Sequence, residues 1–384
     1  MRIGCLQFAP QVGEVQNNIS RAEDVLAKAD SDDLQNLDLL VLPEMALSGY
    51  NFKSSEHILP YLEPTASGAS FQWARTTARK YDCTVAVGYP EKTEGTETPE
   101  HYNSLVVVDE KGETLANYSK SFLYYTDETW ACEGKGFYSG KLGNLGKVAM
   151  GICMDINPYK FEAPFTAYEF ASHVLKAKAS LIILSTAWLT NDERTTFLSC
   201  PHQPDLATLT YWARRLEPIL RTESLEETIV VIGNRCGIED DATYAGTSTV
   251  MGIKNGEFSL YGILGRGEEQ LLVVDTNKPP YAKFTLEPLE ELLNGDSEPE
   301  IPPPEPTNGQ EDRPPKETAP GEGNGYVDSP TLPPSGFLPF NARSHATPGA
   351  STLTDSATNK TEETYFPLPA LTATPTTFLR PRLS

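Results

Sequence analysis

Short apolar runs, most of them closed abruptly by Gly, Pro or Asn, recur through the chain as far as residue 275, and they dictate a sheet-based fold. Leu37–Leu42, Thr84–Tyr89, Lys147–Ile152, Ser180–Ser185 and Thr228–Ile232 are each too short for a stable buried helix, which is the pattern of buried strands. Between them lie segments with apolar residues at every third or fourth position: Asn17–Ala29, Phe71–Tyr81, Phe161–Ala179 and Asp205–Leu220. These read as helices, the first capped by Asn17 or Asn18. Asn103–Asp109 and Thr114–Tyr118 flank Glu110-Lys111-Gly112 as a hairpin, and strands near 248–253, 258–263 and 270–274 surround Asn255-Gly256. The chain opens β-α-β, and strands alternate with helices again from 147 to 232. This predicts an α/β protein of two similar halves, with helices outside packed sheets.

The composition changes near residue 290. Of 31 prolines, 17 fall beyond it, among Glu, Thr, Ser and Gly. Residues 1–290 are therefore expected to form the body and residues 291–384 a disordered low-complexity tail. A formal net charge of −22 argues against binding nucleic acid or an anionic membrane, since both need basic patches. No apolar run reaches membrane-spanning length and no targeting signal opens the sequence, so the cytoplasm, or the nucleus, is the expected compartment. The 6 cysteines and 5 histidines are scattered, with no spacing that predicts a disulfide framework, a metal site or a cofactor.

Reactive residues follow several of the strands. Cys153 ends Lys147–Ile152 and precedes the 161–179 helix, at a turn where free N–H groups and helix potential favour a thiolate. A buried cysteine is also ordinary packing, and both readings stand on position alone. Glu44 follows Leu37–Leu42 through Pro43, where it is either a solvated loop acid or a charge in a polar cleft. Lys120 stands at the end of the hairpin among Phe122, Leu123 and Tyr124; it either reaches water or needs an anion. Glu44, Cys153 and Trp188 all sit at carboxyl ends of strands, where ligands gather in open α/β sheets. Together, a carboxylate, a lysine and a cysteine can perform acyl transfer: Glu44 takes the thiol proton, Cys153 attacks an amide carbon, and Lys120 with the Met154 N–H holds the oxyanion.

In order and approximate spacing, Leu42-Pro43-Glu44, Tyr118-Ser119-Lys120 and Gly151-Ile152-Cys153-Met154-Asp155 resemble the Glu-Lys-Cys motifs of the carbon–nitrogen hydrolase (nitrilase) superfamily. Asn234-Arg235-Cys236-Gly237 and Tyr244-Ala245-Gly246-Thr247-Ser248 are similar to its Asn-Arg and Gly-x-Ser region. The resemblance covers roughly residues 1–280. It implies an α-β-β-α sandwich, no cofactor, and a monomer or homodimer. Ser-Gly-Tyr-Asn-Phe after Glu44, and Met154 and Asn157-Pro158-Tyr159 after the cysteine, resemble the fungal N-terminal amidase branch rather than plain nitrilases. That branch implies peptides or proteins with N-terminal Asn or Gln as partners, release of ammonia, and a place in N-degron-dependent degradation. Glu128 resembles an additional glutamate that many members place eight residues after the lysine. Asp155 is either the carboxylate for a substrate α-ammonium or a first-turn acid, and Tyr50 and Trp188 either wall the pocket or fill the core. Two other functions remain open: a small-molecule amidase, or a non-catalytic scaffold displaying the proline-rich tail.

Overall fold

The structure is a computed structural model that describes residues 1–94 and 99–286. The expected tail, residues 291–384, lies outside the described residues. Period-two alternation in the apolar runs decides the architecture, because each strand buries one face against helices and the other against a second sheet. One large sheet runs Gln270–Asp275, Arg2–Gln7, Leu39–Val41, Thr84–Lys92, His101–Val108, Thr114–Ser119. The other runs Ala282–Phe284, Glu257–Ile263, Thr249–Lys254, Thr228–Asn234, Leu181–Thr186, Gly146–Ile152, Tyr138–Leu142. Each has parallel strands at its centre, joined through helices, and antiparallel hairpins at its flanks. The two halves are thus built alike.

The layers follow from which residues alternate. Leu39, Val41 and Ala86 point inward and meet Met150, Ile152, Ile183 and Val231 of the facing sheet. Leu40, Leu42, Val85 and Val87 point outward onto Ala22, Val25, Trp73 and Ala78 of helices Val15–Lys28 and Ala69–Tyr81. On the opposite side Ala149, Ile182, Leu184 and Val230 pack on Phe170, Val174, Leu209 and Trp212 of helices Glu169–Ala177 and Leu206–Arg215. The result is the expected α-β-β-α sandwich. Ile183 is fully buried between the sheets, and truncating such a side chain to alanine costs about 2–5 kcal/mol.

Three helix expectations need correction. The first helix starts at Val15 and is capped by neither asparagine. Asn18 is instead buried, its amide donating to the carbonyls of Gln11 (2.7 Å) and Leu47 (3.0 Å). The segment expected as a helix from 161 to 179 is helical only over Glu169–Ala177, because positive φ at Lys160, Phe161 and Tyr168 breaks the chain into short turns around Pro164. Asp205 caps the next helix by accepting the Thr208 N–H at 3.0 Å, but this helix ends at Arg215 and a separate turn, Glu217–Leu220, follows.

These strands deliver the candidate site residues to one end of the sandwich. Leu39–Val41 leads to Glu44, Gly146–Ile152 to Cys153, and Leu181–Thr186 to Ala187 and Trp188. The turn after Leu42 lies so close to the neighbouring strand that a Cβ on Gly88 would meet the Met45 nitrogen at 2.7 Å and the Glu44 Cα at 2.8 Å. Only glycine permits that approach.

Candidate active site

Glu44, Lys120 and Cys153, far apart in sequence, meet below one pocket. Glu44 and Lys120 are fully buried and Cys153 is 9 % exposed. Glu44 is held from three sides: its Oε1 accepts from Lys120 Nζ at 2.7 Å and from Asn103 Nδ2 at 2.7 Å, and its Oε2 accepts the Ala187 N–H at 2.8 Å. Lys120 therefore does not reach water. Its ammonium also donates to Asp127 Oδ2 at 2.6 Å, so two of its three hydrogens are committed and one is left for a ligand. Its Nζ lies 5.7 Å from the centre of the Tyr50 ring.

Burial and charge set the protonation states. Burial pushes the Glu44 carboxyl above its ordinary range; Lys120 opposes this and Asp127 adds to it. Burial by itself would pull the Lys120 ammonium down, but Asp127 and Glu44 hold it above the usual lysine range. For Cys153 the expected stabilisation of a thiolate is overturned. Burial pushes its thiol well above the usual cysteine range, and Glu44 pushes it further, against the pull of Lys120 and the Ala187 N–H. The helix that follows the cysteine is a single turn, Cys153–Ile156, which supplies too little potential to offset burial. The resting group is thus a thiol beside a basic carboxylate. Cys153 adopts φ 41°, in the left-handed region, so it stands out of the line of its strand.

The other expected residues divide sharply. Tyr50, Met154 and Trp188 line the pocket with Cys153, among Tyr124, Phe161 and Tyr211 and the polar Asn157, Asn191 and Thr208. The buried Tyr50 hydroxyl has no hydrogen-bond partner among the described residues. Glu128 does not reach the cluster. In the turn Asp127–Thr129 it is Asp127 that points inward, while Glu128 is exposed and 3.9 Å from Lys160 Nζ. Asp155 is fully buried and is not available to a substrate cation, because its oxygens accept from Ser121 N (3.0 Å), Phe122 N (2.8 Å), Ile152 N (2.7 Å) and the Tyr118 hydroxyl (2.7 Å). It clamps the lysine turn to the cysteine turn. Burial still pushes it up to about 6, against those donors.

Two members of the cluster, Asn103 and Asp127, were not expected. The signal for Asp127 was its place one residue before Glu128; Asn103 sits in a strand and gave none. A second buried network supports the pocket from behind. Asn234 Oδ1 accepts the Trp188 N–H at 2.8 Å, and Glu239 pairs with Arg235 at 2.7 Å while accepting the Tyr244 hydroxyl at 2.8 Å and the Asn51 N–H at 3.1 Å. This anchors the Tyr50 loop and explains the Asn-Arg and Gly-x-Ser segments.

Residues 2–158 match the carbon–nitrogen hydrolase family. The protein N-terminal amidase of Schizosaccharomyces pombe is 38% identical over 292 residues, spanning 72% of this chain and 100% of that protein. The chain belongs to the carbon–nitrogen hydrolase family. A second member, the protein N-terminal amidase of Saccharomyces cerevisiae, is 36% identical over 208 residues, which cover 49% of this chain and 45% of that protein. Among solved structures of this hydrolase fold, the crystal structure of an N-terminal amidase with a Gln-Gly peptide aligns with a TM-score of 0.62 at 24% identity. It covers 71% of this chain and 96% of that one, and it attests the fold. The hydrolase has no helix long and apolar enough to cross a membrane among its described residues, and no His, Cys, Asp and Glu group there is arranged to hold a metal ion.

Proposed function

We propose that this hydrolase removes the side-chain amide of Asn or Gln at the N-terminus of peptides and proteins, leaving Asp or Glu and ammonia. The observation that carries this reading is the match along the whole length of the S. pombe protein N-terminal amidase, over a structure that buries Glu44, Lys120 and Cys153 under one pocket. The chemistry follows from the residue states. As the Cys153 sulfur bonds to the amide carbon, its proton passes to Glu44, whose raised basicity suits that transfer. The carbonyl oxygen becomes an oxyanion and takes the spare Lys120 hydrogen and the Met154 N–H at the start of the helical turn. Glu44 then protonates the nitrogen, the C–N bond breaks and ammonia leaves a thioester. Water, deprotonated by Glu44, attacks the same carbon; the C–S bond breaks and the proton returns to the thiol.

The product is an acidic N-terminus, and this supports a place in N-degron-dependent degradation in the cytoplasm or nucleus. One observation favours a second reading: no charged side chain lines the pocket among the described residues, which suits a small neutral amide. A scaffold role is disfavoured because all three reactive positions are filled and buried together. The test is to quench turnover of a Gln-terminated peptide in acid and analyse the protein by mass spectrometry. The expected result is a Cys153 adduct of the substrate mass less ammonia, absent in Cys153→Ala. Turnover without any adduct on Cys153 refutes the thioester route.

A further inference from the structure

Asn103 lies in the strand His101–Val108, fully buried, and its side chain is placed unlike a packing residue. One amide hydrogen goes to Glu44 Oε1 at 2.7 Å and the other to Asp127 Oδ1 at 3.0 Å. Lys120 bridges the same two acids, at 2.7 Å and 2.6 Å. The four side chains therefore close a ring in which donors and acceptors alternate. The Asn103 backbone joins it too, since its carbonyl accepts the Lys120 N–H at 2.8 Å.

We propose that Asn103 is a positioning residue of the hydrolase: by dividing its amide hydrogens between Glu44 and Asp127 it keeps both acids as separate carboxylates and Glu44 free to act as the base. Two carboxylates sharing one ammonium in a buried site tend to trap a proton, as paired acids do. A protonated Glu44 has no room for the thiol proton. A second cation would prevent this, but it would quench the base and compete for the oxyanion. A neutral double donor satisfies both acids, leaves the ring with net negative charge, and spares the third Lys120 hydrogen.

The amide also carries a cost that packing does not explain. Asn103 Oδ1 is buried with no hydrogen-bond partner among the described residues, so its desolvation is uncompensated. Turning the amide over would relieve nothing, because it would set that oxygen against Glu44 Oε1. The two acids dictate the orientation, and the orphan oxygen is its consequence. The hydrogen bond from Asn103 is also among the influences that lower the Glu44 carboxyl against its burial.

This inference rests on the reading of Glu44 as the base, so the test includes a readout that needs no substrate. Asn103→Leu, which removes both donors, and Asn103→Asp, which replaces them with charge in the same volume, are compared with wild type in the full chain. Iodoacetamide alkylation of Cys153 is followed against pH by peptide mass spectrometry, and ammonia release from an Asn-terminated peptide is followed in parallel. The acid limb of both profiles is expected to move to higher pH by about one unit in Asn103→Leu and further in Asn103→Asp. At pH 7, kcat is expected to fall about 10- to 100-fold while KM stays within about threefold. Limbs that coincide with wild type in folded variants overturn the proposal, and if the leucine variant does not fold, the aspartate variant decides alone. Absence of peptide turnover in wild type refutes the deamidation reading, while the alkylation limb still decides the role of Asn103.

Discussion

Replacing Asp155 with Asn separates a structural clamp from a substrate-binding acid. The carboxylate accepts four hydrogen bonds between 2.7 and 3.0 Å, three from backbone N–H groups and one from the Tyr118 hydroxyl. An asparagine keeps one oxygen and turns an amide nitrogen toward the donors of the other, so two buried donors lose their acceptor. Each such loss costs about 1–3 kcal/mol, which puts the change near 4 kcal/mol. For a body of this size each kcal/mol lowers Tm by about 2–4 °C. Tm is therefore expected to drop by roughly 8–16 °C in differential scanning calorimetry. At a temperature where the variant is folded, KM for free-amine peptides is expected to stay within about threefold of wild type. An unchanged Tm with KM raised about 100-fold would refute the clamp and return Asp155 to the substrate's α-ammonium.

The two neighbouring acids after the lysine should behave oppositely. Asp127→Asn removes one of the two charges on Lys120 and is expected to lower kcat by about 10-fold or more, whereas Glu128→Ala, at an exposed position, should leave it within about twofold; steady-state ammonia release checks both. Lys120→Met removes the cation that opposes the upward shift of the Cys153 thiol. The thiolate fraction at a given pH then falls, and the alkylation profile of Cys153 should move to higher pH; an unchanged or lower profile would contradict the electrostatic assignment. Gly88→Ala forces a Cβ against the backbone of Met45 and Glu44 and is expected to lower both Tm and kcat, as read by calorimetry and turnover.

Much of the site is legible in the chain because Glu44, Cys153 and Trp188 each interrupt or follow a buried strand, where a polar or reactive group is conspicuous. Lys120 was legible as a cation that either reaches water or needs an anion, but which of the two holds, and the anions themselves, were not. Asp127 and Glu128 are adjacent acids, and only the sense of one turn decides which is buried. The role of Asp155 depends on donors 33 to 37 residues away at Tyr118, Ser121 and Phe122, a contact that local pattern does not encode. Asn103 continues an ordinary strand, and its importance arises only where two acids converge on it. In the fold, strand positions followed from period-two alternation, whereas the helix expected from residue 161 lost its first turns to left-handed backbone that periodicity does not report. The raised Cys153 thiol had the same kind of cause: local sequence showed a helix start, and tertiary burial outweighed it.

Ammonia release from short peptides beginning with Asn or Gln, from their N-acetylated forms and from small ω-amides, measured with wild type and Cys153→Ala, decides whether the hydrolase is an N-terminal amidase. Release is expected from the free-amine peptides only, abolished by Cys153→Ala. Equal turnover of acetylated peptides, or turnover of small amides alone, would contradict it.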